Sequence, residues 1–303
     1  MTEPEPPIVW ESRLVDVRGG VVAAQVSGGD GSKPAVLLLG GATWSRDWWP
    51  DALCAELVDA GVRVVRFDPR DTGESTASPV GEPGYDAGDL VSDAVAVMDG
   101  FSVDQAVAVG LSMGGGLAQQ LAATHPERIA GLVLVSTTAA DEVDRSLPGP
   151  TPELAATFEE PVPDPDWTDR SAVIDWVVEG ERPYAGPGTF DEAQLRDLAG
   201  RVWDRTRSME PAVTNHFIVA GSAAPVDLAP LAALPAVVVH GSADPMFPLP
   251  HGEALAAALE APLVVLDNVG HQAPPPRTWP TLIPAILRVV RDAAADTGAT
   301  ATD

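Results

Sequence analysis

The stretch Val107-Ala108-Val109-Gly110-Leu111-Ser112-Met113-Gly114-Gly115-Gly116 decides the fold of this chain of 303 residues. Its apolar, partly β-branched start is typical of a buried strand, and the small residues after Met113 indicate a helix packed closely on that strand. Ser112 lies between them in a Gly-x-Ser-x-Gly pattern, in which a sharp turn exposes the hydroxyl and the glycines allow close packing. Ser112 is therefore the candidate nucleophile, provided that the surrounding sequence supplies its partners.

A serine nucleophile needs a base, and the base needs a carboxylate that orients it. Residues 235–245 read as a short β-branched strand ending in a turn that contains Asp244, and residues 262–271 repeat this pattern with His271 in the following loop. In architectures with this serine turn the partners follow in the order acid, then histidine. We predict a catalytic triad of Ser112, Asp244 and His271, in which His271 is the general base and Asp244 fixes its tautomer.

Asp267 is the alternative acid. It lies just before His271 at the end of the same strand, where a carboxylate is better suited to shaping the loop. Asp244 taken alone also has a structural interpretation, because Asp-Pro commonly opens a turn. The expected order of the triad favours Asp244. We interpret the other histidines as structural and leave only His216 open as one that can face a pocket.

Acyl transfer requires hydrogen-bond donors where the oxyanion develops. The amide of Met113 follows the serine directly and begins a helix, whose dipole favours negative charge. A second donor is predicted in the loop Gly40-Gly41-Ala42-Thr43-Trp44, where we favour the amide of Ala42 over that of Gly41. The structural alternative for this diglycine is a tight exit from the strand at residues 35–39.

Together these motifs resemble those of α/β-hydrolases, and more narrowly those of the aclacinomycin methylesterase group of small bacterial esterases. The narrower resemblance rests on the serine turn, on Leu39-Gly40-Gly41 with Trp48-Trp49-Pro50, and on Arg70-Asp71-Thr72-Gly73. It covers residues 8–138 and 227–293 and is weak between them. It implies hydrolysis of a carboxylic ester, in the group's named members a methyl ester on a polyketide-derived aglycone. Most relatives have Arg-Gly where this chain has Arg70-Asp71, and we interpret both side chains as stabilising their loop by local hydrogen bonds.

Strand-like and helix-like segments alternate along most of the chain, after an opening hairpin around Gly19-Gly20. This alternation predicts an α/β-hydrolase fold, with a mostly parallel central sheet and helices on both faces. It stops at a segment rich in Pro and acidic residues, with helix-like pieces at 172–179 and 190–204. We predict that residues 1–138 and 227–303 form the core and that residues 139–226 form a cap over the carboxyl ends of the strands.

The predicted cap is rich in aromatic residues. They are interpreted either as a roof over an apolar part of the substrate or as the cap's own core. Trp176 and Trp203 are our candidates for substrate contact. Trp44, at the end of the loop with the second predicted oxyanion donor, is predicted to form a pocket wall. Because the predicted triad and oxyanion donors all lie outside the cap, chemistry and recognition are expected on separate stretches of chain.

Composition restricts the partners. The net charge of −26 argues against nucleic acid and anionic membranes and favours a neutral or cationic small-molecule ester. The single cysteine, Cys54, excludes an internal disulfide and falls on an apolar helix face, which predicts a core position. Without a leader pattern, a long apolar run, a metal-ligand cluster or a dinucleotide fingerprint, we expect a cytoplasmic protein with no membrane span, metal or cofactor. The sequence leaves the oligomeric state open, a homodimer included.

Three functions remain at this stage. A serine carboxylesterase acting through an acyl-enzyme is the leading one. The same triad can serve a lactonase, a carbon-carbon bond hydrolase or a cofactor-free haloperoxidase or perhydrolase, although carbon-carbon hydrolases typically have Asn where this chain has Leu111. A non-catalytic ligand-binding protein of the same fold is the third.

Overall fold

Within residues 8–142 and 146–300, which the computed structural model describes, the chain forms one sheet of eight strands. The sheet order is β1-β2-β4-β3-β5-β6-β7-β8; β2 is antiparallel to β1 and β4, and the remaining pairs are parallel. The strands are β1 (Glu11–Val17), β2 (Gly20–Ser27), β3 (Ala35–Leu39), β4 (Val64–Phe67), β5 (Ala106–Leu111), β6 (Ile129–Val135), β7 (Ala236–Gly241) and β8 (Leu263–Leu266). The predicted mostly parallel sheet that opens with a hairpin is confirmed.

Helices cover both faces of the sheet. They are α1 (Asp51–Asp59), α2 (Ala87–Gly100), α3 (Met113–Thr124), α4 (Pro152–Glu159), α5 (Arg170–Glu181), α6 (Glu192–Arg205), α7 (Glu210–Ala220), α8 (Pro250–Ala258) and α9 (Trp279–Thr300). Apolar side chains of α1 and α9 pack on one face, and those of α2, α3 and α8 pack on the other. Leu37 and Leu38 of β3 point to opposite faces, and both are buried because a parallel strand is covered on two sides.

Cys54 lies on α1 in the core, as its position on the apolar helix face predicts. It is fully buried, and this burial raises the pKa of its thiol to about 12. A thiol that stays protonated is a poor nucleophile, so Cys54 serves packing.

Helices α4 to α7 lie between β6 and β7, where the sequence predicts the cap. The helix-like pieces at 172–179 and 190–204 correspond to α5 and α6. Sequence analysis missed α4 and α7. The start of α4 carries a recognisable signal, because the Thr151 side chain caps the helix and Pro152 occupies its first position. The polar side chains of α7, in contrast, include two that are completely buried, which obscures an amphipathic pattern.

The topology gathers the predicted site at one edge of the sheet. Ser112 directly follows β5, and the loop that contains Ala42 follows β3. Asp244 and His271 follow β7 and β8. Since the carboxyl ends of parallel strands meet at the same edge, residues that are far apart in sequence come together there.

Candidate active site

Ser112 occupies a strained turn between β5 and α3. Its backbone angles are φ 52° and ψ −119°, which a residue other than glycine adopts only when its surroundings enforce them. A Cβ atom at Gly110 would lie 2.2 Å from the carbonyl oxygen of Gly114, and one at Gly114 would lie 2.3 Å from that of Leu39. The two glycines of the pattern are therefore required for strand, turn and helix to pass one another.

Hydrogen bonds hold this turn in place. The Ser112 amide donates to the Val135 carbonyl oxygen at 3.1 Å, and the Ser112 carbonyl oxygen accepts a bond from the Thr137 hydroxyl at 2.9 Å. Both partners belong to β6 or its continuation, so the strand next to β5 fixes the backbone of Ser112. The Ser112 hydroxyl takes no part in these two bonds.

His271 connects Ser112 to Asp244. Its Nε2 lies 2.9 Å from Ser112 Oγ, and its Nδ1 lies 3.0 Å from Asp244 Oδ2. The carboxylate side chain is fully buried, and the imidazole is about one-tenth exposed. Because the carboxylate only accepts, the proton of a neutral His271 belongs on Nδ1, which leaves Nε2 to accept from the serine hydroxyl.

A turn after β7 orients Asp244. Its Oδ1 accepts hydrogen bonds from the amides of Met246 at 2.9 Å and Phe247 at 2.8 Å, which leaves Oδ2 for His271. His240 lies beside it, but its Nε2 donates to the Phe247 carbonyl oxygen at 2.7 Å, and burial lowers the pKa of its imidazole. A neutral His240 adds no charge next to Asp244. The alternative acid, Asp267, is exposed and bonded to Asn268, so the structure brings Asp244 and not Asp267 to His271.

The loop after β3 packs against Ser112. A Cβ atom at Gly41 would lie 3.6 Å from the Ser112 Cβ, so this backbone borders the nucleophile. In this loop the amide of Trp44 donates to the Gly41 carbonyl oxygen, and the amide of Thr43 donates to His216. Within the described residues the amides of Ala42 and Met113 have no protein acceptor. The loop and the start of α3 thus each leave an unused donor near Ser112.

The comparison with protein families agrees with this architecture. The model of the alpha/beta hydrolase fold family matches residues 34–275. The chain is a member of the α/β-hydrolase family. Rhodomycin D methylesterase DnrP of Streptomyces peucetius is 28% identical over 260 residues, which cover 81% of this chain and 87% of that protein. DauP of Streptomyces sp. (strain C5), also a rhodomycin D methylesterase, is 30% identical over 264 residues with the same coverage of 81% and 87%. The predicted resemblance to small bacterial methylesterases is confirmed.

Solved structures share the fold of this α/β-hydrolase. The 2-hydroxy-6-oxo-6-phenylhexa-2,4-dienoate hydrolase of Rhodococcus sp. strain RHA1 superimposes with a TM-score of 0.69 and 24% sequence identity, covering 94% of this chain and 99% of that chain. A thermophilic esterase of Thermogutta terrifontis has a TM-score of 0.65 at 22% identity, covering 93% of this chain and 99% of the other. At such identities the likeness concerns the fold alone.

The tryptophans predicted to bind substrate differ in their surroundings. Trp44 is buried and stacks on Trp48 with ring centroids 4.7 Å apart, so it belongs to the core at the end of the loop after β3. Trp176 on α5 packs edge-on against Trp167 at 5.3 Å, and its indole N–H is buried without an acceptor in the described part of the chain. Trp203 on α6 is half-buried. Substrate contact by Trp44, Trp176 and Trp203 stays a prediction.

Two aromatic residues that sequence analysis did not place in the site flank His271. The Phe247 ring lies 5.4 Å from the imidazole centroid in an edge-on arrangement, and the Tyr184 ring lies 6.0 Å away. The His271 amide also donates to the Tyr184 carbonyl oxygen at 2.8 Å. Phe247 was detectable as a residue of the Asp244 turn, whereas nothing in the sequence indicates the approach of Tyr184 from the segment between β6 and β7.

Arg70 and Asp71 have structural partners, but these are not only local. Arg70 forms a buried ion pair with Asp93 on α2, at 2.6 Å between Nε and Oδ2. Asp71 accepts hydrogen bonds from the Tyr85 hydroxyl at 2.6 Å and from Asn215 Nδ2 on α7 at 2.9 Å. The structural interpretation agrees with these contacts, and their reach extends into the predicted cap.

No helix among the described residues is both long enough and apolar enough to cross a membrane. Over the same residues, no group of three or more His, Cys, Asp and Glu side chains is arranged to hold a metal ion.

Proposed function

We propose that this α/β-hydrolase is a serine carboxylesterase that acts through an acyl-enzyme on Ser112. The observation that carries the proposal is the continuous hydrogen-bonded chain from Ser112 through His271 to the buried Asp244. This chain starts at a serine held in a strained turn, an arrangement that serves nucleophilic catalysis and has no evident use in packing.

The first half-reaction forms the acyl-enzyme. His271 Nε2 accepts the Ser112 proton while Oγ attacks the ester carbonyl carbon, and the oxyanion takes hydrogen bonds from the Met113 and Ala42 amides. Asp244 stabilises the imidazolium that forms. Collapse of the tetrahedral intermediate breaks the bond to the alcohol oxygen, which leaves with the proton from His271.

The second half-reaction releases the acid. His271 removes a proton from water, the hydroxide attacks the acyl carbon, and Ser112 leaves with the returned proton. We propose the ester to be small and largely apolar, neutral or cationic because the chain carries a net charge of −26. Similarity to two rhodomycin D methylesterases supports a methyl ester of a polyketide-type compound. Residues 139–226 would act as the cap that selects it, with Trp176 and Trp203 as its candidate contacts.

The first test replaces the nucleophile. Ser112→Ala should lower kcat for an activated acetate at least about a thousandfold, because only oxyanion stabilisation and binding remain. A fluorophosphonate should label the unmodified protein at Ser112 with one equivalent and should not label the variant. Near-normal turnover by folded Ser112→Ala, or labelling at another residue, would reject the mechanism.

A further inference from the structure

His216, in the segment between β6 and β7, forms hydrogen bonds to two loops of the core, the loop after β3 and the loop after β4. It lies on α7 and is completely buried. Its Nδ1 accepts a hydrogen bond from the Thr43 amide at 2.8 Å, and its Nε2 lies 2.7 Å from the Arg70 carbonyl oxygen, to which it donates. An imidazole that accepts at Nδ1 and donates at Nε2 is neutral, and burial lowers the pKa of His216 in agreement with this state.

Thr43 needs such a partner because of its backbone. Its φ of 69° lies in the left-handed region, which a β-branched residue adopts only at a cost of about 1–3 kcal/mol. Thr43 is the third residue of the turn from Gly41 to Trp44. Its left-handed conformation allows the Trp44 amide to donate to the Gly41 carbonyl oxygen, which belongs to the same peptide as the Ala42 N–H. Since the Thr43 amide is committed to His216, the Ala42 amide is left as the unused donor beside Ser112.

The neighbouring Asn215 fixes α7 on the core. Its Nδ2 donates to Asp71 Oδ2 at 2.9 Å and to the Pro79 carbonyl oxygen at 3.1 Å, and its Oδ1 accepts from the Gly81 amide at 2.8 Å. Asn215 is completely buried. The imidazole of His216 is therefore held at a defined place relative to the loop of Arg70 and Asp71.

We propose that His216 is a positioning residue for the oxyanion hole, which acts by holding Thr43 in its left-handed conformation and thereby fixes the Ala42 amide. This inference rests on the proposed esterase function. It also changes an expectation from the sequence, because catalytic geometry then depends on a residue inside the predicted cap.

Two substitutions separate the two bonds of His216. In His216→Gln, the side-chain amide reaches the Nε2 position and donates to the Arg70 carbonyl oxygen, but the Thr43 amide loses its acceptor. In His216→Asn, Oδ1 branches at the same atom as Nδ1 and accepts from Thr43, while the bond to Arg70 is lost. We expect kcat for an activated acetate to fall about 10- to 100-fold in His216→Gln at similar KM, and most of this loss to be recovered in His216→Asn.

Controls distinguish positioning from general destabilisation. Gln120→Leu removes another buried polar contact between the core and the segment that follows α7, the bond from Gln120 Nε2 to the Ala224 carbonyl oxygen, and it should lower the Tm without changing kcat. A trifluoromethyl ketone, which forms an oxyanion on the serine, should bind more weakly to His216→Gln by the same factor as kcat. If His216→Gln folds poorly, Thr43→Gly is added to both His216 variants. It removes the backbone strain at position 43, and kcat of the Gln and Asn variants is then compared in this shared background.

The outcomes are distinct. Wild-type kcat in His216→Gln, or equal losses in the Gln and Asn variants, would overturn the positioning role while Ser112 remains essential. Full activity of Ser112→Ala would instead reject the proposed function, whatever His216 does.

Discussion

Polar atoms at hydrogen-bond distance from one another build the candidate site, and residues far apart in sequence contribute them. Ser112, Asp244 and His271 each follow a strand-like segment, and their order along the chain predicts that they form a triad. Tyr184 and His216 could not be predicted in this way. They reach the site from helices whose packing on the core is set by tertiary contacts, and no local pattern records such contacts.

The choice between the two acids can be tested directly. Asp244→Asn should lower kcat by about three to four orders of magnitude, because an amide that donates to His271 favours the wrong tautomer. Asp267→Asn should keep kcat within about twofold, since the Asp267 side chain is exposed and accepts from Asn268 rather than from His271. Steady-state kinetics on an activated acetate give both numbers. Similar losses in the two variants would remove Asp244 from the triad.

The glycines that follow Ser112 differ in how closely neighbouring backbone approaches them. The run at the start of α3 contains three glycines that look equivalent in sequence. A Cβ at Gly114 would meet the Leu39 and Gly40 carbonyl oxygens at 2.3 and 2.6 Å, whereas a Cβ at Gly116 meets nothing within 4 Å. The sequence predicts the helix, but only its packing against the end of β3 tells the glycines apart.

These glycines make a matched pair for a stability measurement. Gly114→Ala should lower the free energy of unfolding by about 1–3 kcal/mol or more, because the methyl group forces α3 away from β3. Gly116→Ala should raise it by about 0.5–1 kcal/mol, since alanine restricts the unfolded chain and favours the helix. Urea unfolding at neutral pH measures both. A stable Gly114→Ala variant would contradict the close approach of α3 to β3.

Hydrogen bonds and ion pairs connect the segment from α4 to α7 to the core. Asn215 bonds Asp71, the Tyr184 carbonyl oxygen accepts from the His271 amide, and Arg205 at the end of α6 enters a cluster of carboxylates. The sequence predicted an insertion here from the break in strand and helix alternation. It could not show that the segment contacts the loops of the candidate site, because these contacts join residues that are far apart in sequence.

Among these residues, Arg205 forms several ion pairs at once. It binds Asp47, Asp68 and Glu74, and Arg46 shares the latter two carboxylates. Asp68 is fully buried, and its Oδ1 accepts a hydrogen bond from Arg205 Nη2 at 2.8 Å. Burial alone would raise the pKa of Asp47, but the hydrogen bond and charge of Arg205 hold that pKa below its ordinary value of 3.8. The pKa of Glu74 is likewise lowered from 4.5, where the bond and charge of Arg46 outweigh burial.

These directions fix the sign of a pH effect. A carboxylate whose pKa is lower in the folded protein contributes stability that is fully present above its unfolded pKa and is lost as the pH falls through the folded value.

Arg205→Met should therefore lower the free energy of unfolding at pH 7 by about 3 kcal/mol, because it leaves buried carboxylates without their full set of positive partners. It should also make the decline of stability between about pH 5 and 3 shallower than in the unmodified protein. The exposed pair of Arg170 and Asp204 provides the control. Arg170 also lowers the pKa of Asp204, but solvent screens this pair, so Arg170→Met should cost much less stability than Arg205→Met and change the pH slope less. Urea unfolding at several pH values measures these slopes, and parallel curves for Arg205→Met and the unmodified protein would show that the carboxylates do not depend on Arg205.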